Sequence, residues 1–207
     1  MSTAKVINLV HPSGSTNNLV LDNAGNVVGG GTIADSTAIL RPKVYGTVNA
    51  GLTNPFPSSG GPTSVPFTSI PSWVKRVTLM LNGVSTSSSS TVLFQIGSGS
   101  VTSSGYASVG GYAGGSNLAG GTNSTAGFVT SVGNSSAVVY GHVIFTWQTN
   151  NTWVCSHVLS ANISGVFYSY SGAGTSPVLS GALDRVVATT SSGTATFTAG
   201  SINIMYE

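Results

Sequence analysis

The chain has 207 residues and a mass of 20.7 kDa, a length for one mid-sized domain with a short appendage. Only 5 % of the residues are charged, against roughly 25 % in an ordinary soluble domain, and 34 Ser, 24 Thr, 28 Gly and 15 Asn supply the polarity instead. Six scattered Lys and Arg cannot build the extended basic face that nucleic acid requires, no apolar run is long enough for membrane insertion, and the shortage of good helix formers excludes a helical bundle.

At the start, Lys5-Val-Ile-Asn-Leu-Val10 reads as a short strand, His11 to Asn18 as a loop, and Leu19-Val-Leu-Asp22 as a second strand. Asn23-Ala-Gly-Asn26 has the residues of a tight turn and leads into Val27-Val28, so residues 18–28 are predicted to form a hairpin. A ribbon of that size is marginal alone and needs a partner surface. The first residues lack the basic flank and apolar stretch of a signal peptide. From Asn49 to Pro71 the density of Pro and Gly opposes both helix and central strand, and the segment reads as a connector. The boundary is set near residue 62. Residues 1–61 are an N-terminal docking arm with hairpin and connector, and residues 62–207 a β-domain.

Beyond the boundary, Ser72 to Asn82 alternates. Trp73, Lys75, Val77, Leu79 and Leu81 fall on one side, and Val74, Arg76, Thr78 and Met80 on the other. The adjacent cations Lys75 and Arg76 read as a rim pair on opposite faces, and Asn82-Gly83 as a turn or strand end. Thr91–Ile96, Ala137–Gln148, Trp153–Ser160, Ser164–Tyr170, Leu183–Thr190 and Ala195–Tyr206 complete the strands, with Gln148-Thr-Asn-Asn-Thr152 as the turn between the longest two. Many short strands with turns between them and no helix predict an all-β chain. Its fold is an antiparallel β-sandwich or jelly roll with a short N-terminal β-ribbon or arm. Gly97 to Asn123 is Gly-rich and weakly periodic, and reads as long ordered loops.

Chemistry is sparse. Four carboxylates exist, Asp22, Asp35, Asp184 and Glu207, and their spacing offers no pair for glycoside hydrolysis, which needs two carboxyls roughly 5–9.5 Å apart. Asp184-Arg185 reads as a local tie at a strand start. The single cysteine, Cys155, excludes an intrachain disulfide and a cysteine-based zinc site. His157, two residues on, shares its strand face, yet no carboxylate stands near to orient the imidazole, so Cys155 reads as a small buried hydrophobe. His142 and His157 could approach across the predicted hairpin and hold a divalent ion; the plainer reading is a core or rim histidine. No Gly-x-Ser-x-Gly sits between strand and helix, and no phosphate-binding Gly-x-x-x-x-Gly-Lys occurs. No catalytic, cofactor-binding or metal-binding residue is assigned, and a non-enzyme is expected.

What remains is Tyr and Trp set among Ser, Gly and Asn, the composition of adaptable recognition surfaces. Tyr106, Tyr112, Tyr168 and Tyr170 are the candidate ligand-contact loops, suited to a saccharide because rings stack on sugar faces while hydroxyls and amides meet sugar hydroxyls. The same four rings would serve equally as caps on the ends of the core, and composition leaves both readings open.

The run Ile70-Pro-Ser-Trp-Val-Lys-Arg-Val-Thr-Leu-Met-Leu-Asn-Gly-Val84, with Phe94-Gln-Ile-Gly97 and Thr102-Ser-Ser-Gly-Tyr106, resembles a C-terminal β-domain of bacteriophage tail-fibre and related virion proteins. So does the closing pattern Leu179-Ser-Gly-Ala-Leu-Asp-Arg-Val186 with Phe197-Thr-Ala-Gly-Ser-Ile-Asn-Ile-Met-Tyr-Glu207, its most specific part. The resemblance covers residues 66–207, and Val6 to Asp22 is similar to N-terminal segments of phage structural proteins. It implies a non-enzymatic virion component assembled in the host cytoplasm, a homotrimer docked on other virion proteins through its N-terminal segment. Such a protein displays its β-domain for attachment to a host surface glycan and uses no cofactor. Tail fibres carry a long shaft, whereas the connector here is short. That departure keeps a capsid-decorating (cement or head-fibre) protein as the alternative.

Overall fold

Alternating apolar and small polar residues give strands throughout the computed structural model, which describes residues 8–10, 17–21, 27–28, 44–46, 55–114 and 118–207. The chain divides into two units, Met1–Arg41 and Pro42–Glu207. In the first, β1 (Asn8–Val10), β2 (Asn17–Leu21) and β3 (Val27–Val28) form an antiparallel sheet in that order. Val20 opposite Val28 and Leu21 opposite Val27 make the hairpin that the turn residues predicted, and β1 pairs along the other side of β2. His11, Asp22, Asp35 and the turn at 23–26 lie outside the described residues.

The second unit contains β4 (Val44–Gly46), β5 (Val65–Thr68), β6 (Arg76–Thr86), β7 (Val92–Ser98), β8 (Ser100–Val101), β9 (Ala107–Gly114), β10 (Leu118–Ser124), β11 (Phe128–Val129), β12 (Ala137–Thr149), β13 (Thr152–Ile163), β14 (Val166–Thr175), β15 (Arg185–Thr190) and β16 (Phe197–Tyr206). Eight strands form one sheet in the order β10-β9-β14-β13-β12-β6-β16-β4. The other has the order β11-β7-β15-β5, with β8 paired to β7. All neighbours are antiparallel. The two sheets face each other across aromatic contacts. Phe145 of β12 lies 6.3 Å from Phe94 of β7 and 5.5 Å from Phe128 of β11, ring centre to ring centre. Val77, Leu79, Val143 and Leu159 from the large sheet and Ile96, Val186 and Ala188 from the small one fill the space between. The fold is therefore the all-β antiparallel sandwich that the strand pattern predicted.

The tight turns carry the chemistry expected of them. Asn150 and Asn151, both at positive φ (47° and 56°), join β12 to β13, and Ser164-Gly165 (52° and 88°) join β13 to β14. A two-residue turn with both φ positive matches the twist of the strands it links.

Several expectations are corrected. The boundary near residue 62 falls inside the second unit, because Phe56 from the supposed connector is buried against Phe197 at 5.4 Å and its N–H bonds to the Gly200 carbonyl. Within that connector β5 forms in spite of Pro66, since it is an edge strand and Pro66 opposes Val187 with its other side unpaired. Asn82-Gly83 does not end β6. Gly83 (φ 68°) sits beside Gly200 (φ 76°) of β16, where a Cβ on Gly200 would collide with the Gly83 carbonyl. Register shifts in both neighbouring strands mark bulges there, which reset the alternation so that Leu81 and Val84 both point inward. Trp73 and Lys75 precede β6: Lys75 is exposed, while Trp73, half-buried, packs against the core that holds Val77, Leu79 and Leu81.

The largest correction concerns the Gly-rich middle. Residues 107–114 and 118–124 are strands β9 and β10, not loops. Their glycines replace the apolar alternation because the neighbours come too close for side chains. A Cβ on Gly110 would lie 2.6 Å from the Val129 carbonyl oxygen, and one on Gly172 of β14 would overlap His157.

Candidate functional site

Tyr106 is not a contact-loop residue. It is 2 % exposed and lies edge-to-face on Phe128 at 5.0 Å. Its hydroxyl accepts the Ile96 N–H at 2.9 Å and reaches the carbonyls of Thr102 (2.9 Å) and Ile96 (3.2 Å). The ring pins β7 and the turn after β8 to the start of β9, and burial pushes its phenol up to about 12. For this residue the core-capping alternative holds.

The other three tyrosines come together, on strands rather than loops. Tyr112 of β9 stands opposite Tyr170 of β14, and Tyr168 is two positions along β14 on the same side. Ring centres lie 5.5 Å apart for Tyr112–Tyr170, 6.3 Å for Tyr112–Tyr168 and 6.5 Å for Tyr168–Tyr170. Glycines make the cluster feasible: a Cβ on Gly120 would strike the Tyr112 ring, and one on Gly114 the Tyr168 ring. Tyr170 is buried, whereas Tyr112 and Tyr168 are half-buried at the end of the space between the sheets. Burial raises the Tyr170 phenol, and the neighbouring Tyr112 and Tyr168 hydroxyls add to the effect.

The three rings, with Ile163 and the segment holding Ser131, Gly133 and Asn134, line a cleft of about 220 Å³. Asn134 Oδ1 accepts the Ser136 N–H (2.8 Å) and Ser131 Oγ donates to the Gly110 carbonyl (2.5 Å), which fixes the polar wall. No charged group lines the cleft. Aromatic faces on one side and hydroxyl and amide groups on the other can stack and hydrogen-bond a polyhydroxylated ring. The volume suits one sugar ring better than a drug-sized ligand. Ser131, Asn134 and Ile163 were not legible as site residues, because nothing in their local sequence differs from the many other Ser, Asn and Ile around them.

The remaining candidates separate. Cys155 and His157 share the inward face of β13, as strand alternation required, and both are buried. Burial raises the thiol and lowers the imidazole to about 4, so each sits in its neutral form and neither activates the other. His157 Nε2 has no hydrogen-bond partner. His142 opposes Val158 while His157 opposes Val143, which puts the two imidazoles on opposite faces of the sheet and removes the two-histidine ion site. Among the described residues no three His, Cys, Asp or Glu side chains come together.

Among the described residues the charged side chains form two local ties. Asp184 accepts the Arg185 Nε–H at 2.7 Å and the Gly99 N–H at 2.9 Å, tying the start of β15 to the turn after β7. The Arg185 hydrogen bond holds the carboxyl below its usual range. At the other place the Lys75 and Arg76 N–H groups both donate to the Glu207 carbonyl at 2.9 Å, and Arg76 reaches the Glu207 carboxylate at 3.5 Å. Lys75 Nζ sits 3.9 Å from the centre of the Trp147 ring. The adjacent cations thus have separate partners, which the sequence did not explain.

The chain matches no protein-family model, no curated protein and no solved structure.

Proposed function

We propose that this chain is a non-enzymatic structural protein of a bacteriophage virion, a short tail-fibre or receptor-binding component. In this reading it docks on the particle through its N-terminal unit and offers its β-sandwich to the host surface. The observation that carries the attachment reading is the uncharged cleft of Tyr112, Tyr168 and Tyr170, walled by Ser131 and Asn134, whose chemistry suits a neutral host glycan. The separate Met1–Arg41 unit supports the docking role, and the resemblance of the closing pattern through Glu207 supports the virion assignment and the homotrimer that goes with it.

A second reading, a capsid-decorating protein, rests on the sequence: tail fibres carry a long shaft, whereas the Pro- and Gly-rich connector from Asn49 to Pro71 is short. Immunogold electron microscopy with antibody against residues 62–207 separates the two. Gold at tail or fibre tips is the expected result, gold spread over the shell selects decoration, and unlabelled particles refute the virion assignment. For the cleft, Tyr168→Ala should weaken binding of the purified protein to host surface polysaccharide at least about tenfold, in line with the loss of one stacking ring. Binding unchanged by that substitution would sink the glycan site.

A further inference from the structure

We propose that the outward face of the eight-stranded sheet is the surface through which copies of this chain associate. The strand registers align one row of outward residues across six strands: Val109, Ala173, Ser156, Ile144, Thr78 and Met205. In the next row Val158, His142 and Met80 stand side by side. Neither row contains a Lys, Arg, Asp or Glu. Along this face Val109 is 55 % exposed, Val158 58 % and Phe167 67 %, with Tyr140 and Val154 also open. Soluble single-chain domains seldom leave contiguous apolar surface of this extent uncovered.

Three features select a second copy as the occupant. The first is electrostatic. A face carrying many charges of one sign repels its own copy, whereas the charge on the described residues of this one is Arg76, beside Thr146 at one end and paired with the Glu207 carboxylate at 3.5 Å, which leaves little to repel a copy or to attract an oppositely charged partner. The second is area. Seven strands at about 4.8 Å spacing and about eight residues at 3.3 Å rise give a face of about 900 Å², enough for the roughly 800 Å² that each partner contributes to a stable protein–protein interface. The third is shape. Ala107, Val109, Asn123 and Ala173 line an open hollow of about 550 Å³ where β9, β10 and β14 carry small outward side chains. Phe167 protrudes from the same face at the opposite end of β14. Knob and hollow on one face are what two identical surfaces need to interlock.

Light scattering coupled to size-exclusion chromatography on the full chain at micromolar concentration tests this. Wild type should elute at two or more times the protomer mass of 20.7 kDa. Val158→Asp, which buries a charge at the centre of the face, should weaken association at least tenfold and shift the species to the protomer mass. Val178→Asp should leave the mass as in wild type, because Val178 is 70 % exposed but lies between β14 and β15, off the face. Circular dichroism and melting report whether each variant is folded. If Val158→Asp does not fold, Ala173→Glu, which blocks the hollow, takes its place with the same expectation. A wild-type chain at protomer mass overturns the proposal, as does a folded face variant that keeps the wild-type mass. A wild-type protomer with the face protected from labelling would assign the face to another segment of the same chain.

Discussion

His157 sits on the inward face of β13, 4 % exposed, opposite Val143 on one side and Gly172 on the other, with Nε2 unpartnered. Burial lowers its pKa from 6.5 to about 4. Between those values the unfolded chain binds a proton that the folded chain refuses. The folded state therefore has its full stability above pH 6.5, loses it as pH falls through the window, and reaches the end of the loss below about pH 4. Each pH unit corresponds to about 1.4 kcal/mol, so the full window removes about 3 kcal/mol. For a chain of this length about 3 kcal/mol lowers the melting temperature by roughly 6–12 °C. Thermal melts of wild type and His157→Leu at pH 7, 6, 5 and 4 read this directly. Leu cannot titrate and leaves no buried polar atom, so its stability should change little with pH over the same window. The stability of His157→Leu relative to wild type should therefore rise by about 3 kcal/mol between pH 6.5 and pH 4. A wild-type melt that is flat from pH 6.5 to 4.5, or a His157→Leu slope equal to that of wild type, would refute the reasoning.

Other expectations follow from contacts already described. Tyr106→Phe keeps the ring but leaves the buried Ile96 N–H without its acceptor, and should cost about 1–3 kcal/mol in urea unfolding. Gly172→Ala places a methyl against His157 and the Val109 carbonyl, and should destabilise by about 1–3 kcal/mol with a visible loss of near-ultraviolet circular dichroism. Arg76→Ala removes an exposed ion pair and should change the melting free energy by less than about 1 kcal/mol, because solvent screens the pair and the Glu207 backbone bonds remain.

Hairpins were legible in the sequence where turn chemistry is specific. Asn150-Asn151 fell inside a recognised turn because adjacent Asn residues tolerate positive φ, and the alternation from Trp153 onward then fixed the buried face of β13. Strands β9 and β10 were not legible, because glycines stand where apolar side chains would alternate: Gly110 of β9 admits the backbone of β11, and Gly120 of β10 lies against the Tyr112 ring. The bulge at Gly83 hid the second half of β6 in the same way, since it shifts the alternation by one residue. Of the site, Tyr112, Tyr168 and Tyr170 were visible as residues but not as a group apart from Tyr106. Only the β9–β14 register brings Tyr112 opposite Tyr170, and only the 131–134 segment supplies the polar wall; neither is a local property of the chain.

Strand β16 lies between β6 and β4 in the large sheet, pairing Leu81 with Ile202 across most of the domain's length. The β12–β13–β14 meander can form from near neighbours, whereas β6 waits for a segment made much later. Folding of this unit should therefore be slow, in the range of milliseconds to seconds typical of domains dominated by distant strand pairs. Until β16 arrives, β6 keeps an unpaired edge rich in Val and Leu, the kind of edge on which other chains can template. Expression at lower temperature should accordingly favour soluble protein.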